Sequence, residues 1–296
     1  MLPVLLVAVV AVRHRSVLAE GLAQLRSAEW PWLLGAVGAT CLTWVAAAVT
    51  RQGAVVQRLP GRRLLAVQFA AGAANHLLPT GLGASAVNLR FMALCGVPLA
   101  RSSAALALYL LAEAVARLGL LAGLLLAFPH ALRPGTLVPS GAVGPLLAGL
   151  AGAALLAGLV LLLVRRLRAA VCGFLRTALG EARSVHARPA RALALWGGSL
   201  ALQAAGLVLV GRALGLPVPA GHLALAYLAA TAAVALVPTP GGIGSVEAAL
   251  VVALVAAGGA VPVATAVVLA YRIITVWLPL VPGALTLGAL VRWKVI

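Results

Sequence analysis

Two clusters of proline and glycine interrupt sequence that is otherwise almost entirely apolar. The first is Leu78-Pro79-Thr80-Gly81-Leu82-Gly83-Ala84-Ser85, and the second is Val237-Pro238-Thr239-Pro240-Gly241-Gly242-Ile243-Gly244-Ser245. Their Pro-Thr pairs lie 159 residues apart in a chain of 296. Proline lacks the N–H that a helix interior needs and glycine is conformationally loose, so each cluster stops a helix. In a bilayer, non-helical backbone is tolerated only where protein buries it or where it lines a wet cavity. Interrupted segments at corresponding places in two halves of a chain point to a transport site near the midplane.

That argument requires a membrane chain, and composition supplies one. Hydrophobic residues make up 64% of the sequence and charged residues 9%, with a mean hydropathy of +1.13, no aspartate and five glutamates. A soluble domain of this length needs more charge to cover its surface. Several stretches reach the ~20 apolar residues that a bilayer core requires. The net charge of +17 does not indicate nucleic acid. The 21 arginines and one lysine stand mostly between apolar runs, where the positive-inside rule places them and where anionic headgroups attract them. Cys41, Cys95 and Cys172 are scattered and read as small packing residues, neither a disulfide framework nor a zinc site. The apolar start, 1–12, has no basic leader and runs directly into Arg13-His14-Arg15, so it reads as a short first helix and not as a signal peptide.

Hydropathy predicts full spans over 30–50, 104–127, 145–164 and 192–210. Broken segments cover 64–95 and 223–257, and a long final helix over 262–290 is kinked by Pro279 and Pro282. Trp30 and Trp32 suit a membrane interface. Arg51, Arg58, Arg62 and Arg63 form a basic loop over 51–63. The segment 165–191 holds seven arginines, with apolar residues at helical spacing between them, and predicts an amphipathic helix on the bilayer surface.

Charge then selects a topology. If each broken segment crossed the membrane once, the two most basic loops would fall on opposite sides. If each is a re-entrant hairpin, the 51–63 loop, the 96–101 turn, the 165–191 segment and the C-terminus all lie in the cytoplasm, as the positive-inside rule asks. The first hairpin then enters from the cytoplasm and the second from outside, giving an inverted repeat. Chance similarity in Ala-, Gly-, Leu- and Pro-rich sequence is the competing explanation. Against it, each break is followed by a proline (Pro98, Pro262) and then by a charged residue at an equal interval. Glu113 lies 34 residues after Pro79, and Arg272 lies 34 after Pro238.

Ionisable groups inside a span cost ~2.5–3.5 kcal/mol each on insertion scales and face a partner or a cavity. Glu113 and Arg117 are one turn apart in the order that favours an ion pair. Glu247 falls in the first turn of a half-helix, where the dipole favours its charge. Arg117 and Arg272 are candidate ligands for an anionic headgroup, since a guanidinium fork takes two phosphate oxygens at once. Glu113 and Glu247 are their counter-charges. The alternative is that both pairs simply lock helices together. Asn75, His76 and Asn88 flank the first break and either line a cavity or satisfy broken backbone, with capping expected of Asn88. Arg90 either reaches a headgroup or extends to the interface, and Gln203 is expected to bond between helices. The histidines are dispersed and none pairs with another at metal spacing. No hydrolytic triad or phosphate-binding loop is visible, so neither a catalytic residue, a metal nor a cofactor is expected, and the chain is not expected to be an enzyme.

The stretch Pro238-Thr239-Pro240-Gly241-Gly242-Ile243-Gly244-Ser245-Val246-Glu247, with Tyr271-Arg272-Ile273-Ile274-Thr275-Val276-Trp277-Leu278-Pro279 downstream, resembles the bacterial lysylphosphatidylglycerol synthase transmembrane-region, or flippase-like, family. A weaker match runs through Asn75-His76-Leu77-Leu78-Pro79, Gly83 and Arg90. The resemblance implies a multi-pass protein of the bacterial cell membrane whose relatives move aminoacylated or other polar lipids between leaflets. Position by position, Gly241, Gly242, Gly244, Glu247, Arg272 and Thr275 match its pattern. Ala84 stands where the family often has a glutamate, and the family's Glu-Arg pair is here Glu113-Ala114 with Arg117 displaced. The 296 residues hold no soluble aminoacyltransferase domain, so this stretch is not expected to act as a synthase by itself.

The expected fold is a polytopic all-α membrane bundle forming one domain over 1–296. It has five or six full spans and two re-entrant hairpins. Its repeat halves, 31–127 and 192–290, are joined by the span 145–164 and the basic interfacial segment 165–191. The expected function is translocation or headgroup binding of anionic or aminoacylated phospholipids or other polar lipids. The alternatives are a secondary transporter of a small anionic solute, with Glu247 as a proton site, and a non-catalytic subunit supporting a membrane lipid-modifying enzyme. A lipid-occupied cavity open sideways to the bilayer argues for the first, a closed, water-lined central site for the second, and a shallow, filled interior for the third.

Overall fold

The computed structural model describes residues 28–77, 82–129, 165–196, 200–235 and 244–293, and every regular element among them is helical. The expected first helix over 1–12, the span 145–164 and both break tips, including Gly241 and Gly242, lie outside the described residues.

Helix α1 (Trp30–Ala54) opens with Pro31 in its first turn, where the missing N–H is no loss. Glu29 precedes it and accepts the Trp32 indole N–H at 3.0 Å. The helix runs four residues past the expected 50, so Arg51 belongs to its last turn and not to the basic loop. A cation is favoured at a helix C-terminus, and Arg51 also finds cover on a neighbouring ring there.

Helices α2 (Gly61–Leu77) and α3 (Gly83–Leu94) pack antiparallel. The Gln68 amide donates to Asn88 Oδ1 at 3.1 Å in the buried seam, and Gln57 donates to the Cys95 carbonyl at 2.9 Å across the open end. At the closed end Gly83 lies so near the Ala74 carbonyl that a Cβ would overlap it. The expected cap at Asn88 is replaced by this seam. Asn88 sits inside α3, its amide bonds back to the Ala84 carbonyl at 2.7 Å, and its own carbonyl takes Gln68. A buried amide in an apolar interface needs both kinds of partner, and the facing helix supplies the second.

Helix α4 (Leu99–Ala127) follows Pro98 and exposes Leu111, Leu118 and Leu126 on its outer side, as a span facing lipid does. Helix α5 (Arg165–His186) is strongly amphipathic. Val185 is buried beside Ala54, Leu108 and Leu195, whereas Phe174, Leu175 and Leu179 are exposed. The chain then leaves the helix at Ala187 and Arg188, because proline disfavours helical backbone in the residue before it. Pro189 opens α6 (Pro189–Trp196), so the segment expected as one surface helix is two.

Helices α7 (Leu200–Ala213), α8 (Ala220–Ala235), α9 (Ser245–Ala256) and α10 (Val261–Arg272) share one large apolar core containing Leu207, Leu223, Leu228, Leu250, Leu254 and Val267. A second core holds α2 and α3 with Val55, Leu59 and Leu290. After α10 the chain makes a π-helical turn, Ile273–Trp277, before α11 (Leu278–Arg292). The Leu278 N–H reaches the Ile273 carbonyl, five residues back. Pro279 has no N–H to give, so the ladder rearranges ahead of it. The irregularity expected at Pro279 and Pro282 therefore begins upstream, next to Arg272.

Among the described residues, Trp30–Ala54, Leu99–Ala127, Pro189–Ala213 (part of which is undescribed) and Val261–Arg292 are long and apolar enough to cross a membrane. One end of the bundle gathers the open end of α2 and α3 with the ends of α1 and α11. The other end gathers Glu29, whose N–H meets the Ala213 carbonyl at 2.9 Å, and Phe128, whose ring stands edge-on to His222 at 5.6 Å. Gly259, past the end of α9, packs on Leu216 at this second end.

Candidate functional site

Between the two cores lies a cavity of about 460 Å³ lined by residues of α1 to α4 and α7 to α10, and by the π turn. Its walls are unusually polar for an apolar bundle. Thr40, Thr43, Arg51, Gln68, Asn75, His76, Asn88, Tyr109, Glu113, Gln203, Tyr227, Thr231, Tyr271, Arg272 and Thr275 all contribute. The threonine hydroxyls are committed locally: Thr40, Thr43, Thr231 and Thr275 donate to carbonyls of their own helices at 2.8–2.9 Å. The arginines are therefore the strongest donors facing the space.

At one side stands the ion pair of Glu247 and Arg272. Gly244 precedes α9 at φ +88, a conformation that glycine adopts without strain. This aims its N–H at Glu247 Oε2, 2.7 Å away. The other carboxylate oxygen accepts from Arg272 Nε at 2.6 Å. Glu247 thus closes the start of α9 and ties it to α10 with one side chain. Arg272 is buried, and Glu247 remains partly accessible.

Beneath this pair Gln203 joins three helices. Tyr227 donates to its side-chain oxygen at 2.6 Å and Tyr271 to its backbone carbonyl at 3.2 Å, with the two phenol rings edge-on at 5.9 Å. This is the interhelical hydrogen bonding expected of Gln203.

At the other side Glu113 and Arg117 pair along α4 at 3.7 Å. Glu113 lines the cavity and Arg117 holds it from outside the lining. One turn earlier on α4 the Tyr109 ring carries the Arg51 guanidinium on its face, 3.8 Å from the centroid.

Of the candidate residues, Asn75, Glu113, Arg272 and Thr275 line the cavity, with Arg117 and Glu247 each paired to one of them. Arg90 is exposed on α3 and does not line it. Gly244 acts through the start of α9. Sequence reasoning missed Arg51, Tyr109 and Tyr227. A signal for one existed: Tyr109, Glu113 and Arg117 repeat every four residues, which places them on one face of α4. Among the described residues no group of His, Cys, Asp and Glu could hold a metal.

No curated protein matches the chain. The model of the lysylphosphatidylglycerol synthase TM region matches residues 1–283. The polar cavity, the half-helix closed by Glu247 and the arginine that answers it thus sit in a multi-pass membrane protein that belongs to the lysylphosphatidylglycerol synthase transmembrane-region family.

Proposed function

We propose that this protein binds the polar headgroup of an anionic or aminoacylated lipid in its central cavity and carries it between leaflets. The observation that carries the reading is a cavity of about 460 Å³ with Arg272 in its wall, inside an otherwise apolar bundle. A buried arginine in a membrane is costly and marks a pathway or a ligand. The size and polarity of the space speak against a purely supporting subunit with a filled interior. Membership of a lipid-associated family speaks for a lipid over a free solute. No chemical step is assigned to the chain.

In this reading α2 with α3, and α8 with α9, are re-entrant hairpins that enter from opposite faces and form an inverted repeat. The antiparallel seam of the first pair and the placement of the two open ends at opposite ends of the bundle support it. The basic ends at Arg58 to Arg63, α5 and Arg292 then face the cytoplasm of a bacterial inner membrane, where anionic headgroups are their counterpart.

The test is leaflet exchange of labelled phosphatidylglycerol and lysylphosphatidylglycerol in proteoliposomes. Arg272→Ala is expected to slow exchange by about tenfold or more, the worth of one hydrogen bond to a charged group. Glu247→Gln is expected to slow it less. Unchanged exchange in both variants overturns the reading.

A further inference from the structure

The Arg51 guanidinium is an anomaly. Its face is covered by the Tyr109 ring at 3.8 Å, but a cation–π contact leaves the in-plane N–H donors unused. Nε and Nη1 are buried, and neither has a hydrogen-bond partner among the described residues. Leaving buried donors unmade is costly, more so when they are charged. Arg51 also lines the same cavity as Arg272 and Glu113.

The charges around the cavity do not balance. Among the described residues that line the cavity, or pair with one that does, Arg51, Arg117 and Arg272 face Glu113 and Glu247. Three cations against two anions leave one positive charge without a counter-charge inside an apolar bundle. Arg117 and Arg272 each have a carboxylate within 4 Å, whereas among the described residues Arg51 has none that close and feels Glu113 only at longer range. The complementary ligand is therefore an anion of charge −1 with several acceptor oxygens, small enough to sit beside the Tyr109 ring. A phosphodiester meets all three conditions: it is singly charged, it is compact, and its oxygens accept from more than one guanidinium nitrogen.

We propose that Arg51, held on the Tyr109 ring, is an anion-binding residue of the cavity that grips the phosphodiester of a phospholipid headgroup. The proposal rests on the reading of the cavity as a headgroup site, but it concerns equilibrium binding and not movement.

The experiment measures binding by the purified protein in detergent micelles, using native mass spectrometry and ligand-induced thermal shifts. Three probes are compared: phosphatidylglycerol, diacylglycerol with the same chains and no phosphate, and soluble glycerophosphoglycerol. The wild type is expected to prefer phosphatidylglycerol over diacylglycerol. Arg51→Gln is expected to reduce phosphatidylglycerol affinity about tenfold while leaving diacylglycerol binding unchanged. Arg51→Lys, which keeps the charge but not the planar fork, is expected to recover part of the loss. Glu113→Gln raises the local excess of positive charge and is expected to tighten phosphatidylglycerol binding, and this gain is expected to shrink when Arg51→Lys is added, which a purely structural Arg51 does not produce. This variant also keeps the proposal testable if Arg51→Gln fails to fold. Equal phosphatidylglycerol affinity in wild type and Arg51→Gln overturns the proposal, as does weaker binding in Glu113→Gln. Glycerophosphoglycerol competing at equal molar affinity keeps the anion site but overturns its assignment to a lipid. Binding that depends on Arg51 without leaflet exchange sinks the translocation reading and leaves this one standing.

Discussion

Glu247 does two jobs with two oxygens. It accepts the Gly244 N–H at the start of α9 and the Arg272 Nε from α10. Removing it leaves Arg272 buried without its carboxylate partner, which is far worse than deleting both members of such a pair. Glu247→Ala is expected to destabilise the protein by about 3 kcal/mol, towards the lower end for buried pairs because Glu247 is partly accessible. Glu247→Gln keeps an acceptor for Gly244 and is expected to cost less. Thermal unfolding of detergent-purified protein orders the two, and equal melting temperatures would refute the dual role. These two residues were legible in the sequence because a charge inside an apolar run has few places to go. Arg51 was not, because it adjoins a basic loop and reads as one more interfacial arginine. Only the length of α1 and the position of Tyr109 on α4 bring it inside.

Among the elements, α3 and α5 illustrate how the same apolar content serves different surroundings. The open end of α3 is tucked against Gln57, and burial pushes the Cys95 thiol up, with Arg63 partly opposing the shift. Cys172 is exposed on α5. A raised thiol pKa means less thiolate at a given pH, and the thiolate is the reactive form. With a water-soluble maleimide at neutral pH, Cys95 is expected to react more slowly than Cys172, and the gap is expected to narrow as the pH rises. Equal rates at neutral pH would contradict this placement. The amphipathic character of α5 was legible as arginines alternating with apolar residues at helical spacing. Its division from α6 rests on a single proline, Pro189, whose position inside the basic segment was masked by the regular recurrence of arginine around it. The tether between α5 and α4, Arg101 to Glu181 at 3.5 Å, is largely exposed at the arginine and contributes little.

For the molecule as a whole, the two open ends define a direction. Ala100 stands at the start of α4, beside the open end of the α2 and α3 pair, and Ala260 stands just past that of α8 and α9. Both are exposed. In a cysteine-free background, Ala100→Cys and Ala260→Cys are expected to react with an impermeant maleimide from opposite sides of sealed vesicles. Labelling from one side only would remove the inverted arrangement. The membrane class and the helical architecture were legible because lipid imposes apolar spans and internal backbone bonding on any chain. The cavity was not, because its walls come from many helices. Ordinary residues such as Thr43, Gln68 and Tyr227 become a polar lining only when the two cores pack with space between them.

The π turn at Ile273–Trp277 has a bearing beyond local geometry. An α-helix advances about 100° per residue, so one residue held in the wider turn shifts the phase of everything after it by about that angle. Upstream, the phase of α10 is fixed by Tyr271 and Arg272 at the cavity. Downstream, that of α11 is fixed by Gly283 against Phe69 and Ala73, and by Leu290 in the second core. The five residues between them work as a gear change that lets one continuous rod satisfy two mismatched docking angles. Shortening this stretch by one residue would make a more regular helix and a worse protein.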